Sequence, residues 1–281
     1  MKATIQYIEK ELHGYYPQTE IRGFVRLLLE FVCNMDYTSI IIRDNEKLDA
    51  QSKKQIEAIV QRLKKYEPVQ YILGETEFYG LKIKVNPDVL IPRPETEELV
   101  QWIIAENQLD GPRILDIGTG SGCIALALKN KIVDANVAGF DISEMAVKTA
   151  QLNARLNKLE VDFFVANMLH FNSEIKEKFD CIVSNPPYVR QSEKEKMQPN
   201  VLNFEPENAL FVPDEKPLHF YKAIGKFALK HLRKTGKLFL EINEELGKET
   251  GKLFVDLGFK NTKLKTDING KQRMLHCEWT K

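Results

Sequence analysis

Asn185, Pro186, Pro187 and Tyr188 close the apolar run F-D-C-I-V-S and combine fixed hydrogen-bond acceptors with few donors. Proline has no N–H and fixes φ, so the carbonyls of Asn185 and Pro186 point in restricted directions, and the Asn185 side-chain oxygen adds a further acceptor. Tyr188 contributes a flat ring that can lie against a flat substrate. Such a group suits an NH2 on a planar system. The Asn185 oxygen and the Pro186 carbonyl can each accept one hydrogen, which leaves the nitrogen open to a methyl donor while positive charge develops on it. No general base is needed, since alignment alone can supply about 7–11 kcal/mol in favourable cases. The plainer alternative is a Pro-rich strand terminator with Asn capping a turn.

A second constellation lies upstream, where Asp116-Ile117-Gly118-Thr119-Gly120-Ser121-Gly122 ends another apolar run. Glycines let the chain turn tightly, let backbone N–H groups approach a ligand and let the next helix pack against the sheet. The spacing G-x-G-x-G differs from the dinucleotide pattern, and no Lys-Ser/Thr follows to make a phosphate loop. Asp141 stands nineteen residues beyond Gly122, where an acid can accept both ribose hydroxyls; its alternative duty is an N-cap, for which Ser143 also fits. Asp116 can bind the amino group of a methionine moiety or orient the loop, which favours S-adenosyl-L-methionine over NAD. Spacing alone leaves the two open.

These residues need strand ends to hold them. Short apolar runs predict strands over residues 113–117, 137–142, 161–165, 179–184 and 237–242, with further strands near Lys263 and Met274. Helical spacing fills residues 124–129, 145–156, 219–232 and 245–257 between them. Such alternation implies a doubly wound α/β domain with a parallel sheet covered on both faces. The strand preceding Asn185 then ends at the same carboxyl edge as the glycine loop. Upstream, Ile5, Ile8, Ile21, Phe24, Val25, Leu28, Leu29, Ile56, Ile59, Val60 and Leu63 recur at spacings of three and four, which predicts a small helical bundle. Between the two, the alternation of Leu81, Ile83 and Val85 and the turn signal at Asn86-Pro87-Asp88 predict a β-hairpin linker. Pro94 and the acids after it begin a helix, and capping that helix is the plainer duty of Glu95. The expected domains are 1–72, 73–92 and 93–281.

Composition excludes several classes. The 281 residues are 43% hydrophobic and 28% charged, with 40 basic and 40 acidic side chains. Formal neutrality supplies no global field toward nucleic acid or an anionic membrane. Acids at Glu9 and Glu11 and the lack of a long apolar run argue against a secretory leader or a membrane span, so a cytoplasmic protein is expected. Cys33, Cys123, Cys181 and Cys277 are widely spaced and form no C-x-x-C pattern; they are expected as reduced thiols, with no metal bound.

Four stretches, P-V-Q-Y-I-L-G-E-T-E-F-Y-G (68–80), V-L-I-P-R-P-E-T-E (89–97), D-I-G-T-G-S-G-C-I-A-L-A-L (116–128) and V-S-N-P-P-Y (183–188), together resemble the HemK-type, or PrmC-type, methyltransferases. That family modifies the glutamine of the Gly-Gly-Gln tripeptide in peptide chain release factors. The resemblance implies a Rossmann-like class I methyltransferase domain behind a helical substrate-docking domain, with S-adenosyl-L-methionine as cofactor, a release factor as partner and a monomeric chain. It places cofactor contacts at Asp116, Gly118, Thr119, Gly120, Ser121, Gly122, Asp141, Asn167, Met168 and Asn185. Catalysis falls to Asn185, Pro186, Pro187 and Tyr188, the substrate also meets Arg93, Glu95 and Glu205, and Arg93, Pro94, Glu95 and Thr96 resemble the segment that closes over cofactor and substrate. Three departures stand out: Asn167-Met168 replaces an acid and an aromatic, residues 211–217 replace glycines, and Asn243 replaces a glycine. A nucleic-acid amino methyltransferase is the alternative, because adenine and cytosine amines resemble a glutamine amide. It must flip a base and grip phosphates, and the helical half, with acids and bases in near balance, shows no such grip. A cofactor-sensing module without activity ranks last.

Overall fold

Apolar side chains three and four residues apart fold the first part of the chain into helices. The computed structural model describes residues 1–42, 46–107, 109–170 and 176–280. Residues 43–45 of the expected helical domain, and 108, 171–175 and 281 of the expected methyltransferase domain, lie outside that set. Contacts divide the chain into two units, Met1–Gly74 with Gln198–Phe204, and Glu75–Met197 with Glu205–Lys281.

In the first unit the amino-terminal helices are α1 (Lys2–Leu12), α2 (Gln18–Cys33), α3 (Tyr37–Ile42), α4 (Ala50–Leu63) and α5 (Val69–Leu73). Ile8, Leu12, Ile21, Phe24, Leu28, Ile56, Val60 and Leu63 are buried together. Asp49 starts α4 by accepting from the backbone N–H groups of Gln51 and Ser52 at 2.8 and 2.9 Å, a cap that typically stabilises a helix by about 1 kcal/mol. The expected domain limit at residue 72 falls inside α5, because Pro68 opens a short helix that runs on until Gly74 turns it at φ 73°.

The second unit begins with the hairpin of β1 (Glu75–Phe78) and β2 (Leu81–Lys84). Tyr79 and Gly80 turn it at φ 52° and 80°, the conformation that two-residue hairpin loops prefer. Next come α6 (Pro94–Glu106), β3 (Arg113–Ile117), α7 (Cys123–Lys131), β4 (Asn136–Asp141), α8 (Glu144–Asn157), β5 (Asp162–Val165), β6 (Phe179–Ser184) and β7 (Val189–Arg190). After α9 (Pro199–Phe204), which belongs to the first unit, follow α10 (Glu207–Leu210), β8 (Phe211–Val212), α11 (His219–His231), β9 (Leu232–Glu241), α12 (Gly247–Asp256), β10 (Lys260–Thr266) and β11 (Gln272–Trp279).

Among the described residues, seven strands form one sheet in the order β10, β11, β9, β6, β3, β4, β5. Those from β9 to β5 run parallel, but β11 lies antiparallel to both β9 and β10. The expected parallel sheet is therefore mixed at one end. Gly270 N donates to Asp267 O at 2.9 Å in a tight turn between β10 and β11, and so short a connection joins only antiparallel strands. One of the two free edges, β10, carries Lys260, Lys263 and Lys265, and the other, β5, is four residues long.

Leu115, Ile182, Leu238 and Leu240 pack with Tyr221, Ile224 and Phe227 of α11 and with Phe254 of α12. Alternate residues of the strands turn to the opposite face, where Trp102 of α6 meets Phe239 edge-on with ring centroids 5.6 Å apart. From β3 the chain winds one way to β4 and β5 and the other way to β6 and β9, and at such a reversal a crevice opens beyond the carboxyl ends of the strands. Among the described residues no helix is long and apolar enough to cross a membrane. The four cysteines are free, and Cys123, Cys181 and Cys277 are buried.

Candidate active site

The register of the parallel strands brings the two constellations together: Ile117 lies opposite both Phe140 and Ser184, and Asp141 opposite Val165. A cavity of about 290 Å³ opens over these ends. It is lined by Gly118, Thr119, Gly120, Ser121, Asp141, Asn167, Met168, Asn185, Pro186 and Pro187, among others. Gly118 N and Thr119 N donate to Phe140 O at 2.9 and 3.0 Å, so the loop is tied to β4. Gly120 holds φ at 54° on the cavity wall, and a Cβ there would meet nothing within 4 Å. Gly122 has another task. A Cβ on it would come within 2.9 Å of the Phe163 ring and 3.0 Å of Ala150 Cβ, so the missing side chain is what lets the start of α7 sit against α8 and β5.

Asp141 is the pivot of the cofactor side. Its Oδ2 accepts from Gly120 N and its Oδ1 from Ser143 N, each at 2.9 Å. Capping of α8 falls to Ser143, whose hydroxyl accepts from Ala146 N at 3.2 Å. Each Asp141 oxygen keeps a lone pair for a ligand hydroxyl; burial pushes the carboxyl above its usual range, against the backbone N–H groups.

Asp116 lies beneath the loop and outside the cavity lining. Thr119 Oγ1 donates to its Oδ2 at 2.6 Å, and among the described residues no hydrogen bond of normal length reaches Oδ1. Burial, the largest influence, pushes this carboxyl up to about 7. A carboxyl raised on folding holds its proton more tightly in the folded chain, so its stabilising contribution is full below the unfolded value of about 4 and is lost as pH rises through about 7. The stability of the ligand-free protein minus that of Asp116→Asn is thus expected to fall between about pH 5 and pH 7, at up to about 1.4 kcal/mol per pH unit. Urea denaturation of both proteins across that range measures it, and a difference independent of pH would rule it out.

On the acceptor side, Asn185 Nδ2 donates to Thr96 Oγ1 at 3.3 Å, and Thr96 Oγ1 donates to Glu241 Oε2 at 2.7 Å. Pro186 and Pro187 line the cavity. Tyr188, expected against the substrate, is absent from the lining and sends its hydroxyl to Glu241 Oε1 at 2.8 Å. Glu241 is only 1% exposed, and burial pushes its carboxyl upward while the two hydroxyls oppose the shift.

The remaining expected residues divide. Arg93 lines the cavity; Glu205 does not, and instead accepts from Arg93 Nη2 at 2.5 Å and from Ile91 N at 3.2 Å. Glu95 is also off the wall, accepting from Asn269 Nδ2 at 3.4 Å. Asn167 lines the cavity, but its oxygen already accepts from Leu169 N at 2.9 Å, which leaves one lone pair for a ligand. Of the departures, residues 211–217 include β8, paired with β7, and Asp214, whose Oδ1 accepts from Ser192 Oγ at 2.6 Å. Asn243 acquires a role that sequence reasoning missed. Its Nδ2 donates to Tyr188 O at 3.1 Å and to Glu193 Oε2 at 3.0 Å, and its Oδ1 accepts from Glu245 N at 2.9 Å. Glu241 was also missed as a site residue, and Thr96 was expected only within the segment that closes over cofactor and substrate. The available signal was a carboxylate ending the apolar run K-L-F-L-E-I.

A reversed parallel sheet with a G-x-G-x-G loop, an acid after the second strand and N-P-P-Y after the fourth defines a class I methyltransferase. The model of the Methyltransferase small domain matches residues 96–204, and that of the PrmC N-terminal domain matches residues 4–74. The release factor glutamine methyltransferase of Flavobacterium psychrophilum is 46% identical over 94% of each chain, and that of Bacteroides thetaiotaomicron is 41% identical over 98% of this chain and 99% of its own. The chain belongs to the release factor glutamine methyltransferase family. Solved structures agree in fold. A Pyrococcus furiosus methyltransferase superposes with a TM-score of 0.55 at 18% identity, covering 83% of this chain and 100% of that one. The hMettl16 catalytic domain gives 0.57 at 17% identity, covering 83% and 81%.

Proposed function

We propose that the protein transfers a methyl group from S-adenosyl-L-methionine to the side-chain amide nitrogen of the glutamine in the Gly-Gly-Gln motif of peptide chain release factors. The carrying observation is the Asn185 carboxamide: its NH2 is engaged by Thr96, so its oxygen is left for the crevice beside the glycine loop.

The residues present fit the cofactor. Asp141 keeps lone pairs for two ribose hydroxyls, Met168 and Leu169 line an apolar wall for a base, and Asp116 holds the glycine loop from below through Thr119. When bound, the cofactor supplies an electrophilic methyl on a positively charged sulfur and leaves as a neutral thioether. The Asn185 oxygen and the Pro186 carbonyl hold the two amide hydrogens and turn the nitrogen toward the methyl. Positive charge developing on the nitrogen as it takes the methyl would strengthen the hydrogen bonds to the Asn185 oxygen and the Pro186 carbonyl. One N–H proton then leaves to water, so no side chain with a tuned pKa is required. The Met1–Gly74 unit is assigned the docking of the release factor, and the chain is assigned to act as a monomer in the cytoplasm.

Mass spectrometry of a purified release factor incubated with the protein and cofactor is expected to find one added methyl, on the Gly-Gly-Gln peptide. Methyl incorporated into RNA or DNA, with none on the release factor, would overturn the proposal.

A further inference from the structure

We propose that Thr96 and Glu241 form a positioning relay that fixes which end of the Asn185 carboxamide faces the crevice. The relay rests on the reading of Asn185 as an acceptor for a substrate NH2. It adds the reason that the acceptor end, and not the donor end, points outward.

A carboxamide has an oxygen and an NH2 of similar size, so packing alone does not choose between its two orientations. A threonine hydroxyl does not choose either, because it can donate to the oxygen or accept from the NH2. Here the choice is forced one bond further back. The single Thr96 hydroxyl proton is committed to Glu241 Oε2 at 2.7 Å, with Thr96 2% and Glu241 1% exposed. The Thr96 oxygen can then only accept, and it meets Asn185 Nδ2 at 3.3 Å. A flipped amide would set two oxygens against each other with no proton between them.

An ionised carboxylate suits this position because it accepts on both oxygens. Its second oxygen takes the Tyr188 hydroxyl at 2.8 Å, so one buried group holds the side chains at both ends of N-P-P-Y. Asn243 secures the same segment through the Tyr188 carbonyl. A buried charge is expensive unless fully hydrogen bonded. Glu241 is satisfied by the two groups that orient the site.

The test uses the full chain and the variants Thr96→Val and Thr96→Ser. Valine keeps the shape of threonine without its hydroxyl, and serine keeps the hydroxyl. Thr96→Val is expected to lower kcat on a purified release factor by about 100-fold, the scale of a misplaced reacting group. Its cofactor affinity by calorimetry should stay within about fivefold, the worth of one neutral hydrogen bond. Thr96→Ser should recover most of the lost kcat. Independently of activity, the Asn185 NH2 protons are followed by nitrogen-15 NMR, assigned through their loss in Asn185→Ala. They should exchange slowly in the wild type and in Thr96→Ser, and fast in Thr96→Val. Should Thr96→Val fail to fold, Thr96→Ala replaces it, with the same expected loss of kcat and of protection, since it also removes the hydroxyl that accepts from Asn185. An unchanged kcat, an unchanged exchange rate, or no recovery in Thr96→Ser would overturn the relay. A wild-type protein that leaves release factors unmethylated would sink the proposed function, and the exchange rates would still decide the relay.

Discussion

Asn185→Ala is expected to lower methyl transfer to a release factor by about 100- to 1,000-fold, as removal of a group aimed at developing charge does elsewhere. Two losses combine. The substrate amide loses the acceptor that holds one of its hydrogens, and its nitrogen is no longer turned toward the incoming carbon. Cofactor affinity should weaken by no more than about fivefold, because Asp141, Gly120 and the Met168 wall lie on other strand ends. Single-turnover assays with labelled cofactor, alongside calorimetric binding, separate the two quantities. Retained turnover would remove Asn185 from the chemistry, and a matching collapse of cofactor binding would make its role one of holding the cofactor.

The second large effect concerns stability. Glu205 is nearly buried, with 1% of its side chain exposed, and its carboxylate accepts from the Arg93 guanidinium and from Ile91 N. Arg93→Ala strips the charged partner and leaves the carboxylate with one backbone N–H. Breaking a buried pair on one side costs about 3–5 kcal/mol, and the 31% exposure of Arg93 discounts this through solvent screening to about 2–3 kcal/mol. Glu205→Gln in the Arg93→Ala background should recover part of the loss, since an amide oxygen still accepts from Ile91 N without carrying charge. Both tryptophans, Trp102 and Trp279, belong to the unit that holds the pair, so their fluorescence in urea follows its unfolding. A loss below about 0.5 kcal/mol would class the pair with exposed ones.

Much of the architecture was legible because it is written locally. The strands over Arg113–Ile117 and Phe179–Ser184 have the limits expected of them, each being a short apolar run stopped by residues that cannot continue it. The start of β9 at Leu232 was not legible. Arg233-Lys234-Thr235-Gly236 looks like a loop, and the strand begins through a register shift against β6. Neither was the direction of β11, which depends on the turn at Asp267 and Gly270 rather than on its own residues. The same divide runs through the site. The glycine loop and Asp141 form a local pattern, whereas Thr96 and Glu241 meet across 145 residues of sequence, a distance no motif spans. Tyr188 illustrates the gap: its type suggested a flat ring for substrate, and the hydrogen bond that ties its hydroxyl to Glu241 could come only from the fold.

The edges of the sheet bear on how a protein substrate is captured. An extended chain can bind by adding itself to an open strand, and many domains recognise peptides in this way. Here one edge presents the lysines of β10 and the other offers only the four residues of β5. Charged or short edges discourage strand addition. A segment carrying the target glutamine therefore gains little by lying along this sheet. Under the docking proposed for the Met1–Gly74 unit, the sheet itself is left to read only the side chain that enters the crevice.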